Sequence, residues 1–224
     1  MLKCHRVPGR YSAFAKSFMY VLLLPVAIFW GCSSSVMVRV PPRMDLTGYQ
    51  TMGIIQFASN ADATINQYAT QQFQEHVQAA QPGTRFIELG TQESVLAAIG
   101  AKQLDVDAIK KIGEKYGVAA VFHGNIAYSE PRTDIRVSDV TKLQGGVQSE
   151  IKGDIFSKLM ETRTGASVWS SSAWATKPIG GLVSGEQGVA VAMRKSNPRF
   201  EMIPSMVYHL TTDFRESTVR QRVK

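Results

Sequence analysis

The spacing of hydrophobic residues changes along the chain and predicts an alternation of strands and helices. Residues 51–57 (TMGIIQF) are apolar on both faces, which is typical of a buried strand in a mixed sheet. Over residues 63–80, apolar positions recur three and four residues apart, and this spacing indicates an amphipathic helix capped by Asn60 or Asp62. The apolar positions of this helix are Ile65, Tyr68, Ala69, Phe73, Val77 and Ala80.

The middle of the chain continues the same alternation. The elements expected here are a strand over 84–89, helices around 92–98 and 106–116, and a strongly apolar strand over 118–130. Asp105 or Asp107 would cap the second of these helices. Gly117 is placed to end it in a left-handed conformation.

Two later segments alternate apolar and polar residues, which is the pattern of antiparallel strands with one solvated face. They run over 133–143 and 147–159, and the second has an apolar odd face and a charged even face. A turn follows, in which Gly165 would take the left-handed position of a three-residue hairpin loop. Residues 168–176 (VWSSSAWAT) then return as the partner strand.

The periodicity weakens after Pro178. Residues 179–188 (IGGLVSGEQG) indicate a glycine-rich loop, and a last helix is expected from about Pro204, a natural first-turn proline. The apolar face of that helix is Met206, Val207, Leu210 and Phe214. The whole pattern predicts an α/β (α+β) fold: a mixed sheet flanked by helices, with an antiparallel meander and a C-terminal helix.

The first 31 residues have the pattern of a secretory signal segment. They contain four basic residues and no acidic ones, and residues 18–30 form an apolar run of 13 residues. A helix needs about 20 residues to span a bilayer, so this run favours a signal peptide. Gly31 and Cys32, followed by a serine tract, look like a bacterial lipobox, with cleavage after Gly31 and acylation of Cys32. The alternatives are a plain signal peptide or an N-terminal membrane helix with an incidental cysteine.

Cleavage at that point would change both the organisation and the charge of the chain. The expected parts are a signal peptide (1–31), a lipidated tether (32–50), an α/β domain (51–217) and a basic tail (218–224). Removing the signal peptide lowers the formal net charge from +7 to +3, so the composition does not indicate a nucleic-acid partner. The chain has only two cysteines, Cys4 and Cys32, so the processed protein would hold no disulfide and would be compatible with an oxidising compartment.

No motif in the sequence nominates a catalytic residue, a metal site or a cofactor. The remaining histidines, His76, His123 and His209, lie on three different elements and lack metal-ligand spacing. The glycines between 180 and 188 suggest a phosphate-binding loop, but no Gly-Lys-Ser/Thr ending follows them. We therefore expect a protein without catalysis, metal or cofactor, and an exported enzyme is the residual alternative.

Three aromatic residues are candidates for a partner-binding surface: Tyr128, Trp169 and Trp174. Trp169 and Trp174 have opposite parity in one strand, so at most one of them faces the core and the other is expected to be exposed. Core or edge packing is the alternative role of such aromatic residues. The basic tail would be either a frayed, solvated end or a contact for acidic lipid headgroups or cell-wall polymer.

The order of elements and several short motifs resemble a superfamily of bacterial lipoproteins. The matching features are the lipobox, the opening strand 51–57, the segment 116–126 (YGVAAVFHGNI) and the hairpin 161–170 (ETRTGASVWS). They are similar to the group that contains the curli assembly component CsgG, the penicillin-binding-protein activator LpoB and the N-terminal domain of TolB. The resemblance covers about residues 40–217 and implies the fold of that group.

These features predict a lipid-anchored envelope protein that faces the periplasm. It would bind membrane lipid through Cys32, and Ser33 after the cysteine favours the outer membrane. We expect a non-catalytic adaptor whose partner is another envelope protein or the cell wall, in an oligomeric state that the sequence leaves open. A subunit of a CsgG-like secretion channel is the alternative. A lipid-facing strand needs about nine to eleven residues with a continuously apolar face, and charges in both alternating segments argue against it.

Overall fold

The strands and helices expected from the sequence are present in the computed structural model, which describes residues 35–139, 144–185, 188–193 and 196–222. The helices are α1 (Ala63–Ala80), α2 (Gln92–Ile99), α3 (Val106–Tyr116) and α4 (Pro198–Leu210), with a 3-10 turn at Thr212–Phe214. The strands are β1 (Ser35–Val40), β2 (Met52–Ile55), β3 (Ala58–Ser59), β4 (Phe86–Gly90), β5 (Ala120–Tyr128), β6 (Arg132–Asp139), β7 (Gln144–Glu161), β8 (Ser167–Gly185), β9 (Gly188–Met193) and β10 (Ser217–Arg222). The expected signal peptide, Gly31 and Cys32 lie outside the described residues, and their roles stay predictions.

A mixed sheet forms the larger of two structural units, Pro41–Glu216. Its strand order is β4-β2-β5-β7-β8-β9, with β3 beside β5 and β6 beside β7. β2 runs parallel to β4 and β5, because helices carry the chain back across the sheet between these strands. The pairs β5–β7, β6–β7, β7–β8 and β8–β9 are antiparallel. This confirms the expected fold class.

The helix ends confirm the expected caps and select between the alternatives. Asp62 caps α1, and its carboxylate accepts a hydrogen bond from the Ile65 amide at 3.2 Å. Asp105 caps α3 in the same way, accepting from the Ala108 amide at 2.9 Å. Gly117 ends α3 with φ at +66°, the left-handed conformation that glycine adopts without strain.

Helices cover both faces of the sheet. α1 and α4 pack on one face, where Phe73 and Phe214 meet Phe122 of β5 with ring centroids 5.1 Å and 5.9 Å away. α2 and α3 pack on the other face, where Ile109 of α3 shares a cluster with Val121 of β5. None of the helices in the described parts of the chain is long and apolar enough to cross a membrane.

The hairpin between β7 and β8 is confirmed, and its connection is longer than the three residues expected. The connecting residues are 162–166, with Gly165 at φ +74°. The Gly165 amide donates to the Glu161 carbonyl at 2.8 Å, and the Glu161 amide donates to the Ala166 carbonyl at 2.9 Å. These two bonds close a wider turn around the left-handed glycine.

The glycine-rich segment after Pro178 is a strand, which corrects the expectation of a loop. β8 continues to Gly185, and Gly180 and Gly181 pair with β7 on one side and with β9 on the other. Ladder partners on both sides outweigh the low strand propensity of glycine. Pro178 fits because the register shifts beside it, leaving Ile179 without a partner on β7.

The last helix begins six residues earlier than expected. Asn197 caps α4, Pro198 occupies its first turn, and Pro204 lies inside the helix. An interior proline removes one helical hydrogen bond, so the sequence favoured Pro204 as a start. Burial of Ile203 and Met206 on either side of it holds the helix together. The expected apolar face is buried, although its last member lies in the 3-10 turn that follows α4.

The smaller unit contains β1 and β10, which pair as an antiparallel ribbon that we call the terminal ribbon. Ser35 lies opposite Arg222, and Val40 lies opposite Ser217. Part of the tether expected over 32–50 and most of the basic tail expected over 218–224 therefore lie in paired strands. Valines at alternate positions of β1 give it the period and the propensity of a strand.

Candidate interaction surface

One side of the β7–β8 pair is open at the surface of the larger unit. The inner side packs in the aromatic core, with Ile151, Ile155 and Leu159 buried as the alternation predicted. Side chains on the opposite side are exposed or half-buried, and we call this side the outer face. It consists of Lys152, Asp154, Phe156 and Lys158 of β7, and Ser170, Ser172, Trp174 and Thr176 of β8.

Trp174 dominates the outer face, with 66% of its surface exposed. It lies directly opposite Asp154 in the β7–β8 register. Lys152 Nζ lies 5.8 Å from the centre of the Trp174 ring system, within the range of a cation–π contact, and 2.6 Å from Asp154 Oδ1. The strands therefore present an exposed tryptophan with a fixed cation beside it, the type of residue that carries much of the energy at protein interfaces.

A second cation–aromatic contact extends the outer face toward the hairpin end of β7. Lys158 Nζ lies 5.4 Å from the centre of the Phe156 ring. His123 of β5 lies opposite Lys158, and its burial, helped by the nearby ammonium group, lowers the pKa of His123. A neutral imidazole therefore adjoins this lysine. The outer face carries two lysines and one carboxylate, so its excess charge is positive.

Trp169 belongs to the core, which corrects its candidacy as a contact residue. Only 8% of its surface is exposed, and its ring centroid lies 4.7 Å from that of Phe214. Its indole Nε1 donates to Asp213 Oδ2 at 3.2 Å, so the polar atom is satisfied inside the fold. The parity argument is confirmed: one tryptophan of β8 faces the core and the other is exposed.

Tyr128 is also a packing residue and is corrected in the same way. It is 5% exposed, and Asn60 accepts from its amide at 2.9 Å and donates to its carbonyl at 2.8 Å. Its hydroxyl donates to the Arg199 carbonyl at 3.3 Å, and burial raises the pKa of Tyr128 to about 12. Of the three aromatic candidates, only Trp174 is exposed.

Other polar sites of the described residues are separate from the outer face. No group of three side chains in these residues is arranged to hold a metal ion. A depression of about 200 Å³ lies at the carboxyl ends of β2 and β4, lined by Gln56, Gln67 and Glu88 among others. Another, of about 480 Å³, lies at the opposite end of β2 beside Tyr49 and Gln81. Neither is lined by an outer-face residue.

Comparisons with known proteins return structural matches only. No protein-family model matches this chain, and no curated protein matches it significantly. The PelC dodecamer from Paraburkholderia phytofirmans is 11% identical, with a TM-score of 0.39 over 81% of this chain and 98% of that chain. Lipoprotein GNA1162 from Neisseria meningitidis is 15% identical, with a TM-score of 0.34 over 69% and 92%. The LpoB C-terminal domain from Salmonella enterica is 12% identical, with a TM-score of 0.34 over 61% and 84%.

These structural neighbours are bacterial proteins, and one of them, GNA1162, is a lipoprotein. TM-scores below 0.5 do not establish a shared fold, and identities of 11–15% do not carry function across. LpoB is one of the proteins in the group that the sequence resembles. Membership of the CsgG superfamily stays a prediction from the sequence.

Proposed function

We propose that this chain is a lipid-anchored accessory protein of the bacterial cell envelope that faces the periplasm and binds a partner without catalysing a reaction. Acylated Cys32 holds the domain at the outer membrane. The outer face binds another envelope protein or cell-wall polymer. The observation that carries the proposal is the exposed Trp174 beside Lys152 on an open sheet face.

The contacts around Trp174 suit it to binding. Lys152 contacts both the indole ring and Asp154, so the three side chains restrain one another before any partner arrives. Side chains that are already ordered lose less entropy on binding, and this favours affinity. The excess positive charge of the outer face favours a partner surface that carries carboxylates.

Site-specific photo-crosslinking in cells tests the adaptor directly. A photoreactive phenylalanine derivative, which keeps an aromatic ring at the position, replaces Trp174 in the full-length chain, and the same amino acid at exposed Gln103 is the matched control. We expect a discrete adduct from position 174, absent from position 103 and weakened by Lys152→Glu. Equal adducts from both positions would contradict a partner site on the outer face.

Alanine substitutions of the two tryptophans of β8 should have opposite effects on stability and binding. Trp174→Ala removes an exposed side chain, so the free energy of unfolding should change by no more than about 0.5 kcal/mol while partner binding is lost. Trp169→Ala opens a cavity in the aromatic core and should cost about 3–5 kcal/mol. Urea unfolding measures both values. A large loss of stability in Trp174→Ala would show that this residue has a packing role.

The secretion-channel alternative makes a different prediction for the purified protein. An adaptor extracted in detergent should show no conductance in planar bilayers. A species with the mass of a large ring in light scattering that also conducts ions would contradict the adaptor function and support the channel function. The exposed charges of Lys152 and Asp154 on β7 favour the adaptor, because a lysine facing lipid at the midplane costs about 2–4 kcal/mol and an aspartate adds a smaller cost.

A further inference from the structure

The terminal ribbon has two chemically different faces. Residues that pair across antiparallel strands share a face, so the β1–β10 register assigns every side chain to one of the two faces of the ribbon. One face is rich in valine and holds Val36, Val38, Val40 and Val219. The opposite face holds Met37 with three arginines, Arg39, Arg220 and Arg222. All these residues are exposed.

The arginine face carries uncompensated positive charge. Neither strand of the ribbon contains an acidic residue. Among the described residues, Arg39, Arg220 and Arg222 take part in no ion pair. Three guanidinium groups on one short ribbon are therefore available to an anionic surface.

The ribbon also lies close in sequence to the expected acyl anchor. Cys32 precedes Ser35 by three residues, which span at most about 11 Å when extended. Ser35 pairs with Arg222, so the basic end of β10 lies at the end of the ribbon next to that anchor. Acylation of Cys32 would hold these arginines within reach of the lipid headgroups.

We propose that the arginine face of the terminal ribbon binds the headgroups of anionic phospholipids in the membrane that holds the acylated Cys32. This inference rests on the proposed function for its anchor. Each arginine near an anionic membrane surface strengthens binding by a factor of about five. The lipid chains hold the protein on the membrane, and the arginine face orients the terminal ribbon on the headgroups and makes its contact sensitive to lipid charge.

A fluorescent label on the arginine face tests this contact. The full-length chain with an azide-bearing amino acid in place of Thr218 is produced in cells and extracted in detergent. An environment-sensitive dye is attached through the azide, which leaves the thiols of Cys4 and Cys32 unlabelled in any unprocessed chain, and the protein is placed in vesicles. Position 218 lies opposite Arg39 on the arginine face. We expect a blue shift of the dye emission in vesicles containing phosphatidylglycerol, reversed by high salt, and no such shift in pure phosphatidylcholine. The intact mass of the same sample reports acylation of Cys32.

Charge variants make the test specific. The triple change of Arg39, Arg220 and Arg222 to Gln should reduce the bound-to-free ratio of the ribbon about 100-fold and abolish the shift. The matched control removes the same charge elsewhere, by changing exposed lysines to Gln; these are Lys102, Lys110 and Lys111. The control should keep the shift.

Three outcomes separate the possible failures. An equal shift in both kinds of vesicle, or a shift unchanged in the triple arginine variant, overturns the headgroup contact. A shift that grows with protein concentration also overturns it and assigns the ribbon to contact with a second copy. A missing acyl mass, with the shift on anionic vesicles preserved, overturns the proposed anchor and leaves the headgroup contact supported.

Discussion

The side-chain amide of Gln81 links separate segments of the larger unit by hydrogen bonds. Its Oε1 accepts from the Leu46 amide at 2.7 Å. Its Nε2 donates to the Met44 carbonyl at 2.5 Å and to the Phe214 carbonyl at 3.1 Å. Gln81 therefore joins the segment before β2 to the turn after α4, and both are far from it in sequence.

Gln81→Leu should destabilise the larger unit. The change leaves polar backbone groups at Met44, Leu46 and Phe214 without their partner, and an unsatisfied buried group costs about 1–3 kcal/mol. We expect a loss of at least about 2 kcal/mol in urea unfolding. Gln78→Leu is the control, because its only described hydrogen bond is a long one of 3.5 Å, and it should change stability little.

Two histidines are held neutral by the fold. His76 Nδ1 lies 3.0 Å from Arg215 Nη2 and accepts a hydrogen bond from it only when unprotonated. Burial, followed by the charge of Arg215, lowers the pKa of His76, while Glu75 acts in the opposite direction. Burial and Lys158 lower the pKa of His123 in the same way. Both folded pKa values therefore lie below the unfolded value of about 6.5.

Stability should consequently fall on mild acidification. A lowered folded pKa means that the unfolded chain takes up protons first, so this stability is complete above about pH 6.5 and is lost as the pH falls through the folded pKa values. The double change His76→Gln and His123→Gln should flatten the pH dependence of the urea midpoint between about pH 7.5 and pH 5. Gln67→Asn, at an exposed position of α1, changes no titratable group and is the control, which should keep the native slope.

At the scale of elements, the β7–β8 hairpin is tied to the start of α3 by close backbone approach. A Cβ atom added to Gly165 would lie 2.5 Å from Val106 Cγ1, and Gly165 also has φ at +74°. The hydroxyl of Thr162 in the same connection donates to the Val118 carbonyl at 2.7 Å. The hairpin therefore depends on glycine both for its conformation and for its packing.

Gly165→Ala should cost more than the same change at Gly117. Gly117 has φ at +66° and open space around it, so Gly117→Ala reports the left-handed strain alone, about 1–2 kcal/mol. Gly165→Ala adds a clash with Val106, and overpacking costs a further ~1–3 kcal/mol. Thermal and urea unfolding compare the two. Equal losses would show that Val106 yields without cost.

Hydrophobic periodicity predicted the elements well wherever side chains alternate between core and solvent. α1, α3 and the buried side of β7 are examples, since burial there follows the spacing of apolar residues. Hydrophobic periodicity gave a wrong prediction where pairing with neighbouring strands alone determines the structure. Gly180 and Gly181 have no side chains to show a period, and their strand exists because β7 and β9 flank it.

The candidate surface could be predicted only in part. Strand parity separated Trp169 from Trp174, because a regular strand cannot bury both. Strand parity alone does not determine which of the two tryptophans is buried. It also does not place Lys152 beside Trp174. Those facts depend on the register between β7 and β8, which brings residues more than 20 positions apart into contact and leaves no local signal in the sequence.

For the whole molecule, the proposed acyl anchor at Cys32 would determine where the proposed binding surface operates. Cys32→Ala should yield an unprocessed or misplaced protein, because Cys32 is the residue predicted to receive the lipid. Fractionation of cell membranes, followed by intact mass, measures the outcome. Cys4→Ala is the control, since Cys4 lies in the segment expected to be removed, and this variant should be processed normally. Continued outer-membrane fractionation of Cys32→Ala would contradict the lipoprotein prediction.

The pairing of β1 with β10 also limits when β1 can fold, because its partner strand lies near the other end of the described chain. Ser35 and Arg222 pair although nearly the whole described chain lies between them, and contacts so distant in sequence form late. In an exported chain, β1 must wait with an unpaired edge until residues 217–222 have been synthesised and translocated. An open strand edge invites pairing with other chains. A chain cut short before residue 217 would therefore leave the edge of β1 unpaired, whereas a chain that contains residues 217–222 closes that edge.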